Sequence, residues 1–165
     1  MGLLNKGKFM ENLTRIASFS VNHDFIDEGI YVSRIDGDVT TYDMRTRRPN
    51  MGDYMDNVTM HSVEHLFATY VRNSEMGSRV IYFGPMGCRT GFYLLLAGDL
   101  TSKEVLPLVR DCFRFVADFR GEVPGASAKD CGNYLDMNLP MANYWGRRYS
   151  ALLGNLTEDR LVYPE

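Results

Sequence analysis

Histidine and cysteine occur three times each in 165 residues, and two of the histidines stand four apart in His61-Ser62-Val63-Glu64-His65. On a helix that spacing places both imidazoles one turn apart, where they can grip a single metal ion. Val63, Leu66, Phe67, Tyr70 and Val71 recur at helical spacing around them and predict a helix over about residues 58–73. The apolar stripe falls on the side of the wheel nearly opposite the histidines. That placement argues against core histidines that merely satisfy a hydrogen bond. A solvent-facing pair on a surface helix is the other plain alternative. Glu64, immediately before the second histidine, tips the balance toward a metal site.

A helical pair needs at least one more protein ligand. Cys131, in Asp130-Cys131-Gly132-Asn133, offers a thiolate beside a glycine that permits close backbone approach. Two imidazoles and a thiolate leave a fourth tetrahedral position open, which is the catalytic rather than the structural arrangement. The set suits Zn2+ and can also hold Fe2+ or Co2+. Glu64 is poorly placed to bind the same ion and sits where a carboxylate moves protons next to the open position.

Cys88 lies in Pro85-Met86-Gly87-Cys88-Arg89-Thr90-Gly91. Its flanking glycines allow an unusual backbone path, and Arg89 can favour the thiolate. A surface thiol in an ordinary hairpin loop is an equal reading of those residues taken alone. Cys112 falls between Val109 and Val116 on an apolar helix face and reads as a small core residue.

Around these motifs the chain reads as one α+β domain. Residues 30–35 and 39–44 are β-rich and flank an Asp36-Gly37 turn signal, and residues 79–83 and 92–96 add two more strands. The expectation is a mostly antiparallel sheet of about four strands packed on helices, one of which carries the metal motif. A second helix covers about 102–119, opened by the capping pattern Thr101-Ser102-Lys103-Glu104. Pro107 fits that start poorly and predicts a later beginning or a kink. A third helix starts near Pro140.

A net charge of −3 offers no basic surplus for a phosphate backbone, so nucleic acid is not an expected partner. No apolar run approaches the ~20 residues of a membrane helix, and the N-terminus shows no secretory pattern. Three cysteines, an odd number, argue against a disulfide framework. The expected location is the cytoplasm.

Taken together, the 61–65, 85–93 and 130–132 motifs closely resemble those of the S-ribosylhomocysteine lyase family. Upstream, Ser18-Phe19-Ser20-Val21-Asn22-His23, Tyr31-Val32-Ser33-Arg34 and Tyr42-Asp43-Met44-Arg45 resemble that family's N-terminal segments in the same order. The resemblance implies a homodimer with active sites at the subunit interface, and it makes residues 1–165 a single catalytic domain with 1–17 as an N-terminal extension. It implies His61, His65 and Cys131 as ligands of one divalent metal per subunit, Fe2+ natively, with Zn2+ or Co2+ as substitutes. It makes Glu64 and Cys88 the acid/base pair, and Ser18, His23 and Arg45 substrate-binding residues.

The implied reaction splits S-ribosylhomocysteine into homocysteine and 4,5-dihydroxy-2,3-pentanedione, a quorum-signal precursor, within the methyl cycle. Two rival readings of the same residues are a structural His2Cys2 zinc domain closed by Cys88, and a metallopeptidase of the inverted H-x-x-E-H type.

Overall fold

The structure is a computed structural model and describes residues 13–164. Strands β1 (Gly29–Asp36), β2 (Val39–Arg45), β3 (Val80–Pro85) and β4 (Gly91–Ala97) form one antiparallel sheet in the order β1-β2-β4-β3. Helices α1 (Asn57–Arg72), α2 (Ser102–Asp118) and α3 (Leu139–Leu153) pack against it. This is the α+β arrangement that the hairpin signals and helical periodicities predict. Of the expected extension, residues 1–12 lie outside the described residues, and 13–17 are exposed.

Local chemistry fixes the element boundaries. Asp36 pairs with Val39, so Gly37 and Asp38 join β1 to β2, and Gly37 takes a φ of 61° that a side chain would resist. Asp56 caps α1 by accepting from the Thr59 amide at 2.7 Å. Thr101 and Glu104 cap one another reciprocally at the start of α2. The helix therefore begins at Ser102 and continues through Pro107, in place of the later start that the proline suggested. The missing amide of Pro107 forgoes one intrahelical bond without delaying a helix whose first turn is already capped. Asn138 caps α3, accepting from the Met141 amide at 3.1 Å, with Pro140 in the first turn.

The helices cover one face of the sheet. Tyr42 and Met44 of β2, with Phe92, Leu94 and Leu96 of β4, pack against Val63, Leu66 and Phe67 of α1 and against Val109, Phe113 and Val116 of α2. Phe67 stacks on Phe83 with 3.9 Å between ring centroids. Each such side chain, fully buried, contributes about 1.5–3 kcal/mol. Cys112 is part of this core, and burial pushes its thiol well up, away from thiolate chemistry.

The alternate residues of the strands form the other face. Register puts Tyr31, Asp43 and Tyr93 in one row across it, and Gly29, Arg45 and Gly91 in the next.

Candidate metal centre

Helix α1 drives Val63, Leu66 and Phe67 fully into the core, which leaves His61, Glu64 and His65 part-buried on its outer side. The opposition predicted from the helical wheel is therefore present. Each imidazole commits its Nδ1 to a backbone carbonyl: His61 to Asp136 O at 2.9 Å, and His65 to Pro124 O at 2.8 Å. A carbonyl only accepts, so both Nδ1 atoms carry hydrogen, and the tautomer this selects offers its Nε2 lone pair to a metal. Those two atoms stand 3.1 Å apart. Cys131 Sγ lies 3.4 Å from His61 Nε2, and the three donor atoms all fall within 4.8 Å of one another.

Two imidazole lone pairs converging at this distance repel one another unless a cation lies between them. The Nδ1-to-carbonyl pinning is the usual support of a metal-binding histidine. The donor set and its supports fit a divalent metal ion.

The chain brings Cys131 to α1 through the irregular segment after α2. Cys131 N donates to Ser127 O at 2.9 Å, and Ser127 Oγ bonds the Asp130 carboxylate at 2.7 Å, which tightens the turn that holds the thiol. In the same segment Gly125 adopts a φ of 72°, and a Cβ there would sit 3.3 Å from His65 Nδ1. Both features favour glycine at this position.

The trio opens into a cleft bounded by Glu64, Thr69 and Arg72 on the helix side and Pro124, Asp130 and Gly132 on the loop side. His61 and Glu64 also border a second cleft, whose opposite wall is Pro85, Met86 and Gly87 of the Cys88 loop.

Cys88 itself is exposed and stands outside the three-donor cluster. Its sulfur is 3.0 Å from Thr90 Oγ1, which in turn accepts from Arg45 Nη1 at 2.6 Å. That arrangement disfavours a closed His2Cys2 site. The loop's left-handed residue is Arg89, at a φ of 63°, and not either flanking glycine. Gly91 has a different function, since a Cβ there would come within 2.3 Å of Met44 O. The cation tied to the sulfur is Arg45, through Thr90.

Arg45 is buried and ion-paired to Asp43 at 2.5 Å. Burial works against its charge, yet the Asp43 carboxylate holds the guanidinium pKa above its ordinary value. Ser18 lines a cleft on the outer sheet face with Tyr82, Tyr93 and Leu95, away from the metal donors. His23 bonds locally, Nδ1 to Val21 O at 2.9 Å. One chain thus gathers His61, Glu64, His65 and Cys131, and separately joins Cys88 to Arg45. Neither Ser18 nor His23 borders the metal cleft.

Two residues of this constellation were not singled out from sequence. Thr90 sits inside the Cys88 motif. Asp43 lies two residues before Arg45, the strand spacing that puts both on one face.

Comparisons with known proteins agree with the geometry. The S-Ribosylhomocysteinase (LuxS) family matches residues 16–158. The chain is 58% identical over 158 residues to an S-ribosylhomocysteine lyase of Clostridium acetobutylicum, covering 93% of this chain and 100% of that protein. It is 52% identical to that of Clostridium beijerinckii, covering 92% and 99%, and 47% identical to that of Finegoldia magna, covering 93% and 100%.

Proposed function

The chain belongs to the S-ribosylhomocysteinase family, and on that premise we propose how its residues cleave S-ribosylhomocysteine to homocysteine and 4,5-dihydroxy-2,3-pentanedione. The enzyme is a metal-dependent carbon–sulfur lyase. The observation that carries the site assignment is the convergence of two pinned imidazoles and the Cys131 sulfur. His61, His65 and Cys131 hold one divalent cation per subunit, Fe2+ natively, with Zn2+ or Co2+ accepted by the same donors. When bound, the ion supplies Lewis acidity to the sugar oxygens and stabilises developing negative charge by several kcal/mol.

The substrate dictates what the other residues must do. Its sulfur sits on carbon 5 of an open-chain ribose, and that bond breaks readily only if a carbanion can form at carbon 4. The carbonyl must therefore migrate from carbon 1 to carbon 2 to carbon 3 before the thiolate leaves. Each migration takes a proton from a carbon next to a carbonyl and returns one elsewhere.

Glu64, on the rim of both clefts, and Cys88, beyond the wall of the second, are the groups that exchange those protons. Positioned acids and bases of this kind each contribute about 10²–10⁴-fold. Arg45, held by Asp43, orients the substrate.

Ser18 and His23 complete the pocket of a neighbouring subunit in a homodimer. That neither residue borders the cleft of the metal donors in its own chain supports this reading. Residues 1–165 act as one catalytic unit, with 1–17 as its N-terminal extension. Among the described residues no helix is long and apolar enough to cross a membrane. We place the enzyme in the cytoplasm, and a net charge of −3 offers no basic surplus for a nucleic-acid partner. Its homocysteine returns to the methyl cycle, and its dione serves as the quorum-signal precursor.

The test is thiol release from S-ribosylhomocysteine by anaerobically purified protein. Release that tracks metal content supports the reading. Metal-replete protein that releases no thiol refutes it.

A further inference from the structure

The outer sheet face carries a buried polar chain whose far end has no part in the chemistry above. Tyr163 stacks on Tyr31, with 4.8 Å between centroids and 13° between planes, and donates its phenol O–H to Asp43 Oδ2 at 2.6 Å. The same oxygen accepts from Arg45 Nη2 at 2.5 Å, and Arg45 Nη1 donates to Thr90 Oγ1 at 2.6 Å. A guanidinium only donates, so the Thr90 oxygen accepts, and its own hydrogen is left for Cys88 Sγ 3.0 Å away. The Asp43 and Arg45 side chains are 0% and 3% exposed. Burial, joined by the Asp43 charge, pushes the Tyr163 phenol far up and keeps its proton in place.

Two orphaned atoms define the competing arrangement. Asp43 Oδ1 and Arg45 Nε are buried without hydrogen-bond partners. A carboxylate and a guanidinium left to themselves close into a two-bond fork. Here Tyr163 holds Oδ2 from the other side and the fork is not made. Arg45 is left bridging Asp43 and Thr90.

We propose that Tyr163 is a positioning residue: through Asp43 it keeps Arg45 against Thr90 and so aims the Thr90 hydroxyl at the Cys88 sulfur. The inference rests on Cys88 being the proton-moving thiol of the proposed reaction. Tyr163 lies past residue 158, where the family-model match ends.

Tyr163→Phe keeps the ring stack and deletes the donor. In metal-free protein, peptide-mapped alkylation of Cys88 by iodoacetamide should slow about tenfold, the scale of one hydrogen bond to a charged group. In a Thr90→Val background the same change should add nothing, because the connection is already cut. In the loaded enzyme kcat should fall by a similar factor. An alkylation rate unchanged by Tyr163→Phe overturns the proposal, and so does an equal slowing in the Thr90→Val background. Should the alkylation pattern hold while Cys88→Ser turns over normally, positioning stands and the acid/base role of Cys88 fails.

Discussion

At the scale of single residues, His61 and His65 can serve as ligands because each has already committed its other nitrogen. The carbonyls of Asp136 and Pro124 fix the tautomer and the ring plane before the cation arrives. His61→Ala should therefore abolish metal binding, whereas Cys88→Ala and Glu64→Gln should retain the metal. The latter two should lower turnover by about 10²–10⁴-fold each, the usual worth of a positioned acid or base. Metal quantitation beside thiol release separates the classes. Loss of metal in Cys88→Ala would move that thiol into the ligand set. Cys112 shows that cysteine count alone is uninformative: the core encloses it, and only its neighbours' helical spacing reveals that.

At the scale of elements, α1 is both a core helix and the platform for the metal, and its stability begins at Asp56. Asp56→Ala removes the cap and should cost about 1 kcal/mol, read as a shifted urea midpoint. Hydrogen bonds from Thr59 hold the Asp56 carboxyl below its ordinary range. The folded state thus binds that proton less readily than the unfolded chain. The cap's contribution is present above the unfolded pKa and disappears as pH falls through the folded value. The Asp56→Ala deficit should accordingly shrink in acid, and a deficit that is constant with pH would contradict this origin.

The helix and the 30–45 hairpin were legible because apolar periodicity and a Gly37 turn survive in any context. The start of α2 was harder to read: a capping box and Pro107 gave opposing signals, and the satisfied first turn prevailed. The supports of the imidazoles were not legible at all. Backbone carbonyls carry no residue code, so only the fold reveals that Pro124 and Asp136 lie beneath the ligands.

At the scale of the whole molecule, one chain divides its chemistry between the metal cleft and the outer sheet face, with neither Ser18 nor His23 bordering the metal cleft. If those two residues serve a partner's site, mixing impaired chains should restore function. His23→Ala and His61→Ala proteins, each deficient alone, should regain about a quarter of wild-type activity when subunits exchange, because half the dimers then hold one intact site. No recovery would place all site residues in a single chain. Beneath every such reading lies the claim that thiol release depends on a cation held by His61, His65 and Cys131. Titrating Co2+ into metal-free protein under anaerobic conditions, with homocysteine release as the readout, tests it most directly. The account predicts activity that rises to a plateau at one ion per chain and is absent in Cys131→Ala. Turnover by metal-free protein, or the same plateau without the Cys131 thiol, would contradict it.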